Sequence, residues 1–485
     1  MTARVLMSAP RLSRPASRSL LVIALALVPA PGRQAQAALF GPASNYAANG
    51  GARFAAFGDV NRDGRLDLAV TNDVSETISL RLGNGDGTFG AKTDFTTGLD
   101  PYCVAIQDVS GDGRPDMVTA NYSANSVSVL LGNGNGTFGT KTDFATGPNP
   151  QWVAIADLNR DGRLDLVVSN EGFGAGTTLS VLLGNGDGTF APKVDYTAGV
   201  AVNAVAVGDL NRDGKLDVTA SNGASHTVSI FLGNGDGTLG AKTDYATGMG
   251  PSAVQMADVN RDGRLDLVVS NGQANTVGVL LGNGDGTVGT MTSYATGDGP
   301  HLGPVEDLNH DGELDLAIAN QGSSTVSILL GIGGGVFGPK TDYPTGTTPI
   351  SLAAGDADGD GQLDLATGNY SANTVSVLLN NGVTLDVPRT FRSAGLSLAQ
   401  SRPNPVTGAV TIEFSLPHES EVRLNVFDVT GRKVATLLDG PVAAGTHTVR
   451  WDSRLPGGKP AARGVYRYEL RALGTRLAGH LVLLR

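Results

Sequence analysis

The nonapeptide Asp157-Leu158-Asn159-Arg160-Asp161-Gly162-Arg163-Leu164-Asp165 carries oxygen-bearing side chains at positions 1, 3, 5 and 9. Its Gly at position 6 permits a sharp turn. The same pattern begins at Asp59, Asp108, Asp157, Asp209, Asp258, Asp307 and Asp356, with successive spacings of 49, 49, 52, 49, 49 and 49 residues. The three additional residues fall in one loop, within residues 171–177. A second marker, an aromatic or aliphatic residue usually followed by Gly, recurs at Phe40, Phe89, Phe138, Phe190, Leu239, Val288 and Phe337, each 19 residues ahead of a nonapeptide. A fixed period of this length is the mark of a repeat architecture.

Four strand-like runs fit within one unit, for example 153–156, 164–169, 179–183 and 193–197. The nonapeptide and a Gly-Asn-Gly-Asp-Gly hairpin supply the turns between them. Four short strands per unit predict the blade of a β-propeller, since a β-helix has shorter rungs and helical repeats need a 3.6-residue period that is absent. The last unit lacks a Phe-Gly strand, and an orphan copy stands at Phe40-Gly41. Residues near 40–48 are therefore expected to complete the seventh blade and close the ring, which removes a sheet edge. The fold expected is all-β: a seven-bladed β-propeller over 38–383, a linker at 384–396, and an immunoglobulin-like β-sandwich over 397–485.

Composition agrees with this division. Gly makes up 68 of 485 residues while aromatics are only 5%, which favours short strands and tight turns over helix bundles. With Lys+Arg at 35 against 46 acidic residues, the net charge of −11 excludes an extended basic nucleic-acid surface. Residues 1–37 read as a secretory signal peptide. Arg4, Arg11, Arg14 and Arg18 precede a short apolar run, and Ala35-Gln36-Ala37 supplies a small-x-small cleavage site. That apolar run is too short for a membrane span, and no transmembrane segment is expected in the mature chain. The single cysteine, Cys103, rules out an intramolecular disulfide, so an exported protein needs another staple.

The nonapeptides offer one. Carboxylates and amides at positions 1, 3, 5 and 9, with the backbone carbonyl at 7, make an all-oxygen set suited to Ca2+. The expected ligands are Asp59, Asn61, Asp63, Arg65 and Asp67; Asp108, Ser110, Asp112, Arg114 and Asp116; and Asp157, Asn159, Asp161, Arg163 and Asp165. They continue with Asp209, Asn211, Asp213, Lys215 and Asp217; Asp258, Asn260, Asp262, Arg264 and Asp266; Asp307, Asn309, Asp311, Glu313 and Asp315; and Asp356, Asp358, Asp360, Gln362 and Asp364. An EF-hand loop would carry Glu at position 12, where Val70 stands instead. About seven calcium ions are expected to serve as folding ligands.

These units resemble the FG-GAP and VCBS-type repeats of bacterial surface proteins and, more distantly, the integrin α-subunit propeller. After Asn381 the pattern changes to alternating runs at 410–416, 421–429, 433–438, 446–452, 465–472 and 477–484, as expected of a sandwich. The phrases Arg402-Pro403-Asn404-Pro405, Val426-Phe427-Asp428-Val429-Thr430-Gly431-Arg432 and Gly464-Val465-Tyr466 resemble type IX secretion sorting domains and the Ig-like domain of hook-capping proteins. The resemblance implies type IX-like secretion machinery as a partner, and a secreted or bacterial cell-surface location.

Residues six before each metal loop are Arg53, Tyr102, Gln151, Asn203, Ser252, His301 and Ile350, with Trp152 beside Gln151. In a propeller they would ring one mouth of the central channel, while Tyr122 and His226 fall in loops between strands 2 and 3. Recognition residues usually lie in such variable loops. Six scattered histidines and one cysteine form no catalytic constellation, so no enzyme is expected. The reading is a calcium-binding adhesion or binding module for a protein or glycan. A structural envelope protein without a soluble ligand and an extracellular hydrolase are the alternatives.

Overall fold

The computed structural model describes residues 38–382, 390–393, 396–399, 401, 406, 408–428, 432–455, 459–473 and 475–484. The signal peptide read over 1–37 lies outside the described residues, as do Arg402-Pro403-Asn404-Pro405 and Val429-Thr430-Gly431 of the C-terminal phrases. Residues 38–382 form seven antiparallel four-stranded sheets. Blade 1 contains Ala52–Gly58, Asp67–Asn72, Thr77–Gly83 and Phe89–Thr96 in that spatial order. The first strand of each blade touches that of the next, and the seventh blade touches the first.

The strand sequences explain their places. Strand 2 of blade 3, Asp165–Asn170, is buried throughout because its Leu-Val-Val run packs on both faces. Strand 4, Val194–Thr197, is largely exposed and sends one aromatic, Tyr196, towards the next blade. There the marker residue receives it, Leu239 in this blade and Phe in most others. Edge-to-face pairs join Tyr46 to Phe89, Phe95 to Phe138, Phe144 to Phe190, Tyr294 to Phe337 and Tyr343 to Phe40, at centroid separations of 5.2–5.5 Å. Each such pair contributes about 0.5–1.5 kcal/mol beyond its buried area.

A polar rung crosses six of the seven blades beneath this apolar packing. In blade 1 the Asn72 amide donates to Ser79 Oγ at 2.9 Å, and Ser79 donates to Asp94 at 2.6 Å. Lys92 then pairs with Asp94 at the surface. Blade 5 breaks the rung at three positions together: Gly278, Met291 and Ser293 stand where blades 1–4 and 6 carry Ser, Lys and Asp. A Cβ on Gly278 would overlap Met291 Sδ.

The ring closes through its ends. Ser44–Ala47 pairs antiparallel with Thr374–Leu378 as fourth strand of the sheet that begins at Ala353–Gly355. Asn45 accepts the Ser376 hydroxyl at 2.6 Å, taking the place of the rung aspartate. Phe40 is 2% exposed and bridges Asn380.

The C-terminal residues form two four-stranded sheets. One runs Thr390–Ser393, Leu396–Ala399, Val410–Leu416 and Gly445–Trp451, and the other Lys433–Val442, Ser420–Asp428, Gly464–Ala472 and Thr475–Leu483. Phe414, Trp451, Tyr468 and Leu481 share their core. Part of the stretch expected as linker at 384–396 is therefore strand, because Leu396 and Leu398 alternate into that core. Residues 384–389 lie outside the described residues.

Truncating Phe40 to Ala should cost about 3–5 kcal/mol, as for other buried aromatics. The expected readout is a lower melting temperature together with earlier proteolysis of the seventh blade. An unchanged melt would refute closure through residues 40–47.

Candidate ligand pocket and cation loops

Each nonapeptide joins strand 1 to strand 2 of its blade. In blade 3, Asp157 accepts the Asp161 N–H at 3.1 Å and the Gly162 N–H at 2.9 Å. Asn159 Oδ1 accepts the same Asp161 N–H at 3.1 Å, and Gly162 takes a φ of 82°, where a Cβ would be strained. The loops at Asp59, Asp209, Asp258 and Asp307 repeat these bonds. In blade 2, Ser110 donates to Asp108 at 3.3 Å. Where position 7 is basic it can pair with position 5, as when Arg264 donates to Asp262 at 2.6 Å. In blade 6 position 7 is Glu313, which instead meets Arg261 at 3.8 Å.

Position 9 has a second role that the sequence pattern does not reveal. Asp165 is fully buried, and it accepts the Leu158 N–H at 2.9 Å and the Gly184 N–H at 2.8 Å. Asp67, Asp116, Asp217, Asp266, Asp315 and Asp364 do the same in their blades. The signal for this was a glycine recurring at the partner position in six of the seven blades: a Cβ on Gly83, Gly132, Gly184, Gly233, Gly282 or Gly331 would overlap the carbonyl preceding the aspartate. Burial raises these carboxyls, that of Asp364 to about 6 and that of Asp315 to about 8. In the seventh loop, carboxylate oxygens of Asp356, Asp358 and Asp364 lie within 4.8 Å of one another, the one such triad among the described residues.

At the other end of strand 1 lies a cavity of 250 Å³. Arg53, Tyr102, Gln151, Trp152, Asn203 and His301 all line it, as do Ser252 and Ile350. Six strand 1–strand 2 ladders shift register here, between Ala52 and Ala55 in blade 1 and between Pro150 and Val153 in blade 3. Blades 2, 4, 5 and 6 carry shifts at or just after the same place. Such bulges re-aim side chains, here into the channel mouth.

The lining is one of aromatic faces and amides. Phe54 and Trp152 meet edge to face at 5.0 Å, and the Arg53 guanidinium lies 3.4 Å above the Tyr102 ring. Asp73 holds that guanidinium at 3.2 Å. The Asn203 amide donates to the Pro251 carbonyl at 2.8 Å, and Ser252 donates to the Pro300 carbonyl at 2.7 Å. Burial pushes the His301 imidazole down to about 4, so it is neutral near neutral pH. Tyr122 stands outside the cavity, stacked on Tyr102 at 4.4 Å. His226 is turned away and accepts the Gly250 N–H at 3.0 Å. Cys103 is buried, its thiol pushed up to about 11, which leaves it unreactive.

Comparison with known proteins is consistent with this architecture. The family model for the FG-GAP-like repeat matches residues 59–119, 108–168, 172–220, 219–269 and 307–367, together more than half of the chain. The model for the FlgD Ig-like domain matches residues 403–475. Among solved structures, BBS1N in complex with ARL6DN, soaked with lead, is similar at 13% identity and a TM-score of 0.51, over 71% of this chain and 97% of that one. The same complex soaked with mercury gives 14% and 0.52 over the same shares. An Agrocybe aegerita lectin, described as recognising non-reducing terminal N-acetylglucosamine, gives 19% and 0.46 over 69% of this chain and 96% of its own. No curated protein matches. At these identities the first two likenesses show the fold alone.

The two roles within the nonapeptide separate by mutation. Asp165→Ala strands two buried N–H groups, at about 1–3 kcal/mol each, whereas Asp161→Ala on the exposed rim should barely move the melt in chelator. Equal effects would refute the assignment. The raised carboxyls also set a pH dependence. Their stabilisation is complete below the unfolded value of about 3.9 and is lost as pH rises through the folded values. In chelator the melting temperature should therefore fall between pH 5 and pH 8, and a melt flat across that window would contradict it.

Proposed function

We propose that this chain, which belongs to the FG-GAP-like repeat family, is an exported, calcium-stabilised binding module that holds a protein or glycan ligand at the mouth of its channel. One observation carries the reading. Equivalent positions on seven blades bear seven different side chains and converge on one cavity, while the loops at the opposite ends of the strands repeat almost unchanged. Repetition suits a scaffold, and variation around a concave apolar site with amides suits recognition. Phe54, Tyr102 and Trp152 offer apolar surface, and Gln151 and Asn203 offer hydrogen bonds that fix orientation. Neither matching family model is a catalytic one.

Calcium is assigned to the nonapeptides by the chemistry of their donors. Positions 1, 3 and 5 present hard oxygens at an exposed rim, and the carbonyl of position 7 and the carboxylate of position 9 complete the set. The seventh loop, with Asp356, Asp358 and Asp364 already gathered, has the most negative ligand set. Bound cations would offset the mutual repulsion of these carboxylates. Export is inferred from the charged and apolar segments of residues 1–37. The sorting role inferred for residues 397–485 rests on their likeness to secretion-substrate domains. Among the described residues no helix is long and apolar enough to cross a membrane.

Two outcomes are expected. Excess chelator should lower the melting temperature markedly, and an unchanged melt would remove calcium from the fold. In a screen against glycans and cell surfaces, capture should depend on calcium and weaken in Trp152→Ala. A folded protein that captures nothing would favour the structural-envelope reading.

A further inference from the structure

The one departure from the 49-residue period builds a second feature on the channel-mouth side of the blades. Residues 171–177 of blade 3 form a tight loop in which the Gly176 N–H donates to the Glu171 carbonyl at 2.8 Å. At its tip Phe173 has a φ of 54° and is 79% exposed, between Gly172 and Gly174, which are also left-handed. An exposed aromatic in this backbone region opposes both local sterics and water. Residues held so are found disproportionately at functional sites.

Beside Phe173 is a cavity of 320 Å³, at the lower end of the range of about 300–1,000 Å³ usual for small-molecule sites. Ser123, Asn125, Pro148, Asn149, Phe173 and Ala175 line it, and the lining contains no charged residue. Asn149 is 2% exposed. Its amide donates to the Tyr122 carbonyl at 3.2 Å, yet its Oδ1 is buried without a hydrogen-bond partner. An unmatched buried acceptor costs about 1–3 kcal/mol and is relieved by a donor.

The loop is tied to the channel mouth. The Tyr122 hydroxyl donates to Glu171 at 2.6 Å, and the Tyr122 ring meets Phe173 edge to face at 5.7 Å. On its other side Tyr122 stacks on Tyr102, a residue of the first cavity, at 4.4 Å and 12°. The two cavities are thus separated by two ring-to-ring steps.

We propose that the cavity beside Phe173 is a second ligand subsite, which seats an uncharged pyranose of a glycan whose chain continues to the channel mouth. A pyranose presents a face of C–H groups to the exposed ring and hydroxyl donors to the amides, and an uncharged lining offers no pairing for an ionised sugar or side chain. The choice of a glycan rests on the reading of the propeller as a binding module.

The test is calorimetric titration of the full chain, in calcium, with neutral gluco-, manno-, galacto- and xylo-oligosaccharides from di- to hexasaccharide. An acidic oligogalacturonate series and proline-rich peptides run beside them. Binding of a neutral oligosaccharide is expected to weaken about tenfold in Phe173→Ala, corresponding to one lost aromatic contact, and to be retained in Phe173→Trp. Phe173 is exposed, so the Ala variant should melt like the parent. Binding lost in Trp152→Ala but unchanged in Phe173→Ala would overturn the subsite and leave the channel-mouth reading standing. Phe173-dependent binding of the acidic series or the peptides would overturn the ligand class. No binding of any oligosaccharide would overturn the glycan assignment.

Discussion

The buried aspartate that ends each nonapeptide is the constraint on which the blades depend. Its two oxygens accept one N–H from its own loop and one from the corner after strand 3, as Asp67 does with Val60 at 3.0 Å and Gly83 at 2.9 Å. A carboxylate with no water must be matched on its oxygens, and here backbone amides match it. The second bond brings the chain so close that only Gly fits at most of these corners. In blade 7 Asn380 donates instead, and its side chain also donates to the Leu308 carbonyl of blade 6 at 2.8 Å. The same residue type therefore stands in the loop proposed to hold calcium and in the blade's internal geometry, so that a bound cation would stabilise the fold through it.

Between blades the tie is different. Marker aromatics from one unit meet strand-4 aromatics from the unit before, so each blade is completed by its neighbour, as expected where a single repeat cannot bury its own apolar face. Blades 4 and 5 carry Leu239 and Val288 at the marker. At Leu239 the backbone N–H donates to the Tyr196 hydroxyl at 3.2 Å, a bond that the backbone of Phe40, Phe89 and Phe337 also makes to its tyrosine. Closing the ring with the N-terminal strand gives the last blade the same four strands as the rest and covers the outer side of Thr374–Leu378, which would otherwise be an open edge.

The two ends of the strands have separate tasks. Cation loops and Gly-rich hairpins lie together at one end, where near-identity from blade to blade keeps the ring regular. At the other end the bulges turn variable side chains inward, and the single insertion adds Phe173. Rigid sheets carrying variable termini suit a binding surface, because the ligand meets side chains whose backbone is already fixed.

Much of this was legible in the residues. The spacing of the seven nonapeptides, the orphan Phe40-Gly41 and the break after Asn381 were enough for the all-β class, the repeat number, the closure by residues near 40–48 and the change to a sandwich. They also placed Arg53, Tyr102, Gln151, Asn203 and His301 at one channel mouth, because equivalent positions in a closed ring must lie at equal depth. Legibility ended where a residue's partner is far away in sequence. That Asp165 accepts from Gly184, that Tyr122 stacks on Tyr102 and pins the Phe173 loop, and that Leu396 and Leu398 belong to the sandwich core all depend on which chains meet once packed. Periodicity is a local property and survives in the sequence; the matching of a buried oxygen or ring to its partner is set only when the blades close on one another.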